Sequence, residues 1–206
     1  MKYNIVLASN SPRRKELLAG LDIPFTVRLK QGINETYPDN LPSDEVPLFL
    51  SRLKAAAYLD SMTENELILT ADTVVIVGQQ ILGKPKDEDD ACRMLRLLSG
   101  REHHVVTGVS LTTLCKQRSF KVSTAVTFKT LSQDEISYYV NHYKPFDKAG
   151  AYGIQEWIGY VAIEKIEGSF YNVMGLPVHL VYQTLQKWQV CEKKFVPLPT
   201  VIVDKK

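Results

Sequence analysis

Two hydrophobic rhythms run through this chain of 206 residues, one of period two and one near 3.6, and they follow one another without strict alternation. Ile5, Val6, Leu7 and Ala8 form an apolar run that stops at Ser9, and Leu17, Leu18 and Leu21 then recur at helical spacing. This predicts a strand and a helix, with Ser11 as N-cap, Pro12 at the first helical position and Gly20 as the stop. Residues 25–30 alternate as a half-buried strand would, and residues 31–41 form a polar loop that carries Glu35. A helix is predicted from Pro42-Ser43-Asp44-Glu45 to about Asp60, with Phe49, Leu50, Leu53, Ala57 and Tyr58 on or near its buried face and Lys54 within it.

Residues 67–77 are almost continuously apolar and β-branched, the pattern of a central strand covered on both faces, and Asp72 interrupts them. A turn at residues 78–80, a short return strand at Ile81 and Leu82, and a helix over residues 87–99 closed by Gly100 follow. Two long alternating runs, 104–114 and 119–128, predict a β-hairpin. Ser132 with Glu135 forms a capping box that opens a helix to about Asn141. Beyond it lie a glycine-punctuated loop over 147–153, a strand over 160–166, a turn at Gly168 and a last helix over 177–188. Residues 189–206, with Pro197, Pro199 and a lysine end, are expected to be an extended or mobile tail. The architecture these elements describe is an α/β (α+β mixed) sheet with flanking helices, in two lobes around a cleft.

Composition narrows the function classes. Lys+Arg of 25 against Asp+Glu of 23 leaves a net charge of +2, which argues against a broad polybasic surface and stable nucleic-acid binding. An anionic ligand must then be met by a local cluster. The three cysteines are widely separated and lack metal-ligand spacing, so neither a disulfide framework nor a zinc site is expected. No segment approaches the roughly 20 apolar residues that span a bilayer, and the expectation is a cytoplasmic protein without membrane attachment.

The clearest local cluster is Ser9-Asn10-Ser11-Pro12-Arg13-Arg14, where a strand end delivers hydroxyls, a helix N-terminus and two guanidiniums to one point. Unpaired N–H groups and the helix dipole make such a point receptive to phosphate, although two arginines in a first turn are also compatible with a solvated face. Gly78 to Lys84 has most of the Walker A spacing, but Pro85 stands where a hydroxyl is needed and disfavours helical geometry at Lys84. Lys84 is therefore read as a point charge near a strand end. Burying Asp72 beside Val74 and Val75 costs several kcal/mol unless the carboxylate is paired or bound to a metal. It reads as a general base toward water, as a Mg²⁺ ligand, or as a turn carboxylate between two shorter strands. Glu35 alone is an ordinary acidic loop residue. Gln155 and Asn172 lie among Gly150, Gly153, Gly168 and Gly175, where amides could read a base edge or the glycines could simply turn hairpins.

Taken together, Ser9 to Arg14, Glu35, Lys54, Ala71-Asp72-Thr73, Gly83-Lys84-Pro85, Ser99-Gly100, Val106-Thr107-Gly108, the stretch from Lys148 to Gln155 and that from Gly168 to Pro177 resemble the Maf family of nucleoside triphosphate pyrophosphatases. The likeness runs from Val6 to about Trp188 and implies a single Maf-like catalytic domain over 1–188, with the elongated mixed sheet shared with inosine triphosphate pyrophosphatases. Asn10 stands where a small Ser, Ala or Gly is commoner. The resemblance implies an enzyme that cleaves a nucleoside triphosphate to the monophosphate and pyrophosphate with a divalent metal cation, Mg²⁺ or Mn²⁺. Arg13, Thr73 and Gln155 fall where the dTTP and UTP branch carries its specificity residues, with modified uridine triphosphates as further candidates. Ser9, Arg13, Arg14, Lys54, Thr73 and Gln155 would bind substrate, Lys84 would act with Asp72 and Glu35 in catalysis, and Glu35 and Asp72 would hold the metal. The alternative is a nucleotide-binding regulator of cell division with little turnover, and either reading leaves room for a homodimer.

Overall fold

The computed structural model describes residues 3–188. Strand β1 (Asn4–Leu7) leads into helix α1 (Pro12–Ala19), which Ser11 caps through its hydroxyl as the sequence predicts. Strand β2 (Phe25–Val27) is shorter than the alternation over residues 25–30 suggests. Helix α2 (Val46–Ala56) begins later than Pro42 and ends before Asp60. The reason for the late start is Pro47, which lacks an N–H and is tolerated only in a first helical turn. Strand β3 (Glu66–Val77), β4 (Gln80–Leu82), helix α3 (Glu88–Leu98), and the hairpin of β5 (Glu102–Thr112) and β6 (Gln117–Phe128) follow the expected order. Helix α4 (Gln133–Tyr143) carries both halves of the Ser132 and Glu135 capping box.

The last third departs from expectation. The strand predicted over residues 160–166 begins as helix α5 (Trp157–Ala162), and only then becomes β7 (Ile163–Glu167). Ile158 and Ala162 are buried one turn apart, and Gly159 lets that turn close, since a Cβ there would lie 1.8 Å from the carbonyl oxygen of Ile154. A further short helix, α6 (Phe170–Met174), is capped by Ser169 and ends at Gly175 in the left-handed region, with φ of 115°. Helix α7 (Val178–Gln186) completes the fold. The tail expected over 189–206 lies outside the described residues.

All seven strands belong to one mixed sheet of order β2-β1-β3-β5-β6-β7, with β4 pairing β3 off this path. One edge of β3 is covered by β5 from Ile68 to Ile76. The other edge is shared: β1 runs parallel to it along Glu66–Leu69 and β4 antiparallel along Val75–Val77. Between them, residues 70–74 have no strand beside them on that edge among the described residues. The gap exists because β1 turns away at Ser9 to start α1.

The period of two along β3 divides the core between the two faces of the sheet. Leu67, Leu69, Ala71 and Val75 join the main cluster with Leu17 and Leu18 of α1, Leu95 and Leu98 of α3, and Tyr139 and Val140 of α4. Val74 and Ile76 pack with Val46 and Leu50 of α2, and Ile68 with Val6, Tyr58 and Met62. Each such fully buried Leu or Ile contributes about 1.5–3 kcal/mol, and the strand is covered on both sides as its apolar sequence predicts. Gly108, opposite Asp72 in the ladder, lets α2 lie directly on the sheet, because a Cβ there would come within 2.3 Å of the Pro47 and Leu48 backbone. No described helix is long and apolar enough to cross a membrane.

Candidate active site

The gap in β3 opens into a cleft of about 1140 Å³ that is lined by all nine predicted site residues: Ser9, Arg13, Arg14, Glu35, Lys54, Asp72, Thr73, Lys84 and Gln155. They come from the β1–α1 turn, the first turn of α1, the loop before α2, α2, β3, the segment after β4 and the turn before α5. Strand alternation sends Asp72 and Thr73 to opposite faces at the gap, so the first meets α2 and the second meets α1.

On the α2 face, the Lys54 ammonium lies 2.6 Å from Asp72 Oδ1 and 2.9 Å from Glu35 Oε2. Asp72 is therefore not an isolated buried charge, which answers the desolvation cost that made it conspicuous in the sequence. The Asp72 side chain is 15% exposed and that of Glu35 is 50% exposed, so the carboxylates approach one cationic point from the strand and from the loop.

On the α1 face, the Arg14 guanidinium continues the ladder that β1 leaves unfinished. Ala8 N donates to Leu69 O at 2.9 Å, and the next carbonyl on that edge, Ala71 O, accepts from Arg14 Nη1 at 3.0 Å. Arg14 Nη2 donates to Thr73 Oγ1 at 3.0 Å, Nε to Gly175 O at 2.8 Å, and Nη1 also to Ser9 Oγ at 3.5 Å. Of the five N–H groups a guanidinium carries, one remains for a ligand. Burial pushes its pKa down, and the charge of Asp72 opposes this most. Arg14 thus ties the helix start and the α6 end to the strand, a structural duty that the sequence reading did not assign to it. Thr73 also shares a hydrogen bond with Thr107, whose hydroxyl reaches Asn172 O.

Arg13 points the other way. Its Nη1 donates to Asp147 Oδ2 at 2.7 Å and its Nη2 to Asp147 O at 3.3 Å. Asp147 Oδ1 accepts from the buried Lys148 ammonium at 2.7 Å, and Lys148 reaches Glu156 Oε1 at 3.1 Å. Burial pushes the Asp147 carboxyl up, but the hydrogen bonds and charges of Lys148 and Arg13 outweigh it and hold it down at about 2. Asp147 and Lys148 line the cleft and were not among the predicted site residues; the sequence signals were an adjacent opposite-charge pair at the head of a glycine-rich loop and the place of Lys148 at the start of the stretch to Gln155. Lys84 is exposed, lines the cleft and has no hydrogen-bond or ion-pair partner among the described residues. It follows β4, and α3 begins only at Glu88, so no helix starts at this lysine. The Gln155 side chain lines the same cleft with a buried Oε1 that has no partner among the described residues.

A mixed sheet with a central gap, a helix N-terminus and several cations lining one cleft with a largely buried aspartate define an α/β protein suited to holding a polyanion beside a carboxylate. The chain belongs to the Maf-like family, whose model, described as Maf-like protein, matches residues 4–188. It is 58% identical over 187 residues to a dTTP/UTP pyrophosphatase of Porphyromonas gingivalis, covering 90% of this chain and 94% of that one. It is 57% identical to a protein of the same description from Phocaeicola vulgatus (90% and 96%) and 45% identical to one from Christiangramia forsetii (90% and 94%). Among solved structures, a HAM1 protein from Coxiella burnetii aligns with TM-score 0.47 and 14% identity, covering 90% of this chain and all of that one.

Proposed function

We propose that the cleft hydrolyses dTTP and UTP to the monophosphate and pyrophosphate. The observation that carries this reading is the placement of Asp72 on the stretch of β3 that has a strand on one edge only, within one cleft with Lys54, Lys84, Arg13 and the α1 N-terminus. The relatives described as dTTP/UTP pyrophosphatases support the same substrates. They favour turnover over a nucleotide-binding regulator of cell division.

In this reading Lys84 and the Arg13 backbone N–H, which the Ser11 cap leaves open in the first turn of α1, meet the phosphates, and each charge-assisted contact contributes about 1.5–3 kcal/mol. Lys54 holds Asp72 through Oδ1, and the Asp72 carboxylate accepts the proton of the attacking water. Glu35 and Asp72 also fit a divalent cation, Mg²⁺ or Mn²⁺, because both face the point that Lys54 marks. Two carboxylates plus substrate phosphates is a donor set Mg²⁺ takes with nucleotides. No group of three or more His, Cys, Asp or Glu forms a protein-only cage among the described residues, so phosphate oxygens and water would complete the coordination. When bound, the cation would neutralise charge on the phosphates.

Gln155 supplies the contact for base choice, while the Thr73 hydroxyl is engaged by Arg14 and Thr107. Uracil and thymine present an N3–H donor between two carbonyl acceptors, and an amide offers a donor and an acceptor side by side. The buried, unpartnered Gln155 Oε1 suits that N3–H, whereas cytosine has an acceptor at N3. Leaving such a group unpaired costs about 1–3 kcal/mol, which is the basis of discrimination. A panel of nucleoside triphosphates, including 5-methyl-UTP, assayed for pyrophosphate release tests this. The expected result is preference for dTTP, UTP and 5-methyl-UTP over CTP and purines; equal rates on CTP would refute the role of Gln155.

A further inference from the structure

Arg13 sits where a cation is least welcome. It occupies the first turn of α1 beside Arg14, and both the helix dipole and the neighbouring charge repel it. Its guanidinium is nevertheless held in one direction by two contacts to a single residue, Asp147, through a side-chain and a backbone oxygen. Asp147 is in turn held from behind. Its second oxygen is taken by Lys148, whose side chain is 9% exposed; Lys148 also pairs with Glu156, and Glu156 Oε2 accepts from the Tyr139 hydroxyl. That hydroxyl accepts from Gly153 N at 3.0 Å, and the Tyr139 ring is fully buried on α4. Gly153 leaves room for this packing, since a Cβ there would lie 3.0–3.1 Å from Glu156 and Lys148 side-chain atoms, which would have to give by a few tenths of an ångström. Two cations and two carboxylates therefore form a neutral chain running from the core to the cleft.

We propose that Asp147 is a positioning residue that aims Arg13 along the cleft, and so sets how tightly substrate is held, with Lys148 and Glu156 fixing Asp147 to the core. This rests on the reading of the cleft as a nucleoside triphosphate site. A carboxylate lining a phosphate-binding cleft opposes binding by its own charge, so its presence calls for a compensating role. Stability does not supply one, because the Asp147 side chain is 51% exposed and exposed ion pairs contribute about 0–1 kcal/mol. Orientation of Arg13 does.

The test is a double-mutant cycle in the full chain with Arg13→Ala, Asp147→Asn and both, measuring kcat and KM for dTTP, UTP and CTP. Asp147→Asn is expected to raise KM for all three substrates about tenfold with kcat within about twofold, leaving the preference over CTP unchanged. In the Arg13→Ala background it should change nothing further, and Asp147→Glu should restore part of the lost KM. Effects of Arg13→Ala and Asp147→Asn that multiply, or an unchanged KM in Asp147→Asn, would overturn the proposal. Affinity for the non-hydrolysable α,β-methylene-dTTP, measured by calorimetry on the same variants, separates the two readings. If the wild-type protein releases no pyrophosphate, the proposed function fails, while about tenfold weaker analogue binding in Asp147→Asn and in Arg13→Ala, with no further loss in the double variant, still supports the relay and equal binding in all variants overturns it.

Discussion

Lys54 Nζ lies 2.6 Å from Asp72 Oδ1 because α2 packs on the face of the sheet toward which the even-numbered residues of β3 point. The same ammonium reaches Glu35, so one lysine holds both carboxylates of the cleft. Lys54→Ala removes the ammonium that bridges them. Losing a charge-assisted hydrogen bond of about 1.5–3 kcal/mol should lower kcat/KM roughly 10- to 100-fold. Steady-state kinetics checks this, and a variant within twofold of wild type would contradict the role given to Lys54.

The two adjacent arginines should separate cleanly in stability. Arg14→Lys replaces a planar fork by a point charge and leaves Ala71 O, Gly175 O and Thr73 Oγ1 to compete for one ammonium. Unpaired buried carbonyls cost about 1–3 kcal/mol each, so Tm should fall by roughly 5–15 °C. Arg13→Ala removes a pair whose Asp147 partner is half exposed, and Tm should stay within about 3 °C. Thermal melts of the two variants decide it; equal losses would mean that Arg14 does not tie the sheet gap together.

Gly108→Ala pushes a methyl group into the Pro47 and Leu48 backbone, and a helix cannot yield as a flexible side chain would. Overpacking of this kind costs about 1–3 kcal/mol, and the displaced α2 should carry Lys54 away from Asp72. Urea unfolding should show a lower midpoint at unchanged slope, together with reduced activity. A stable but inactive variant, or an unstable but fully active one, would separate these two consequences and contradict their common cause.

His103 is fully buried, with Nε2 2.8 Å from the Tyr152 hydroxyl and its ring packed edge-on against Phe128. Burial lowers its pKa from 6.5 to about 4, so the imidazole is neutral in the folded protein near neutral pH. The unfolded chain takes up the proton first as pH falls, which means that unfolding free energy drops between about pH 7 and 4, by on the order of 3 kcal/mol in all. His103→Gln should flatten this part of the stability curve, measured by urea unfolding at a series of pH values. An unchanged slope would remove His103 as its source.

Most of the fold is legible in the sequence where one physical rule acts alone. The capping box at Ser132, the cap at Ser11 and the doubly covered strand around Asp72 each follow from local chemistry. Helix α5 was missed because its stability comes from a contact, the close approach of Gly159 to Ile154 O, that no periodicity reveals. Helix α6 had a readable signal, Ser169 before it and Gly175 after it, but five residues are too few for a helical pattern to emerge. In the site, side-chain identity marked which residues gather in the cleft. What it did not show was direction: that Arg14 turns to the backbone and Arg13 to Asp147 depends on where β1 ends beside β3, a long-range fact of sheet register.

The most direct test of the central claim is to follow [γ-³²P]dTTP with purified protein and Mg²⁺, in parallel with Asp72→Asn. The expected result is label in pyrophosphate, dTMP as the other product, and a loss of rate in Asp72→Asn of at least about 100-fold. Label in orthophosphate with dTDP formed, or an Asp72→Asn variant at full rate, would contradict it.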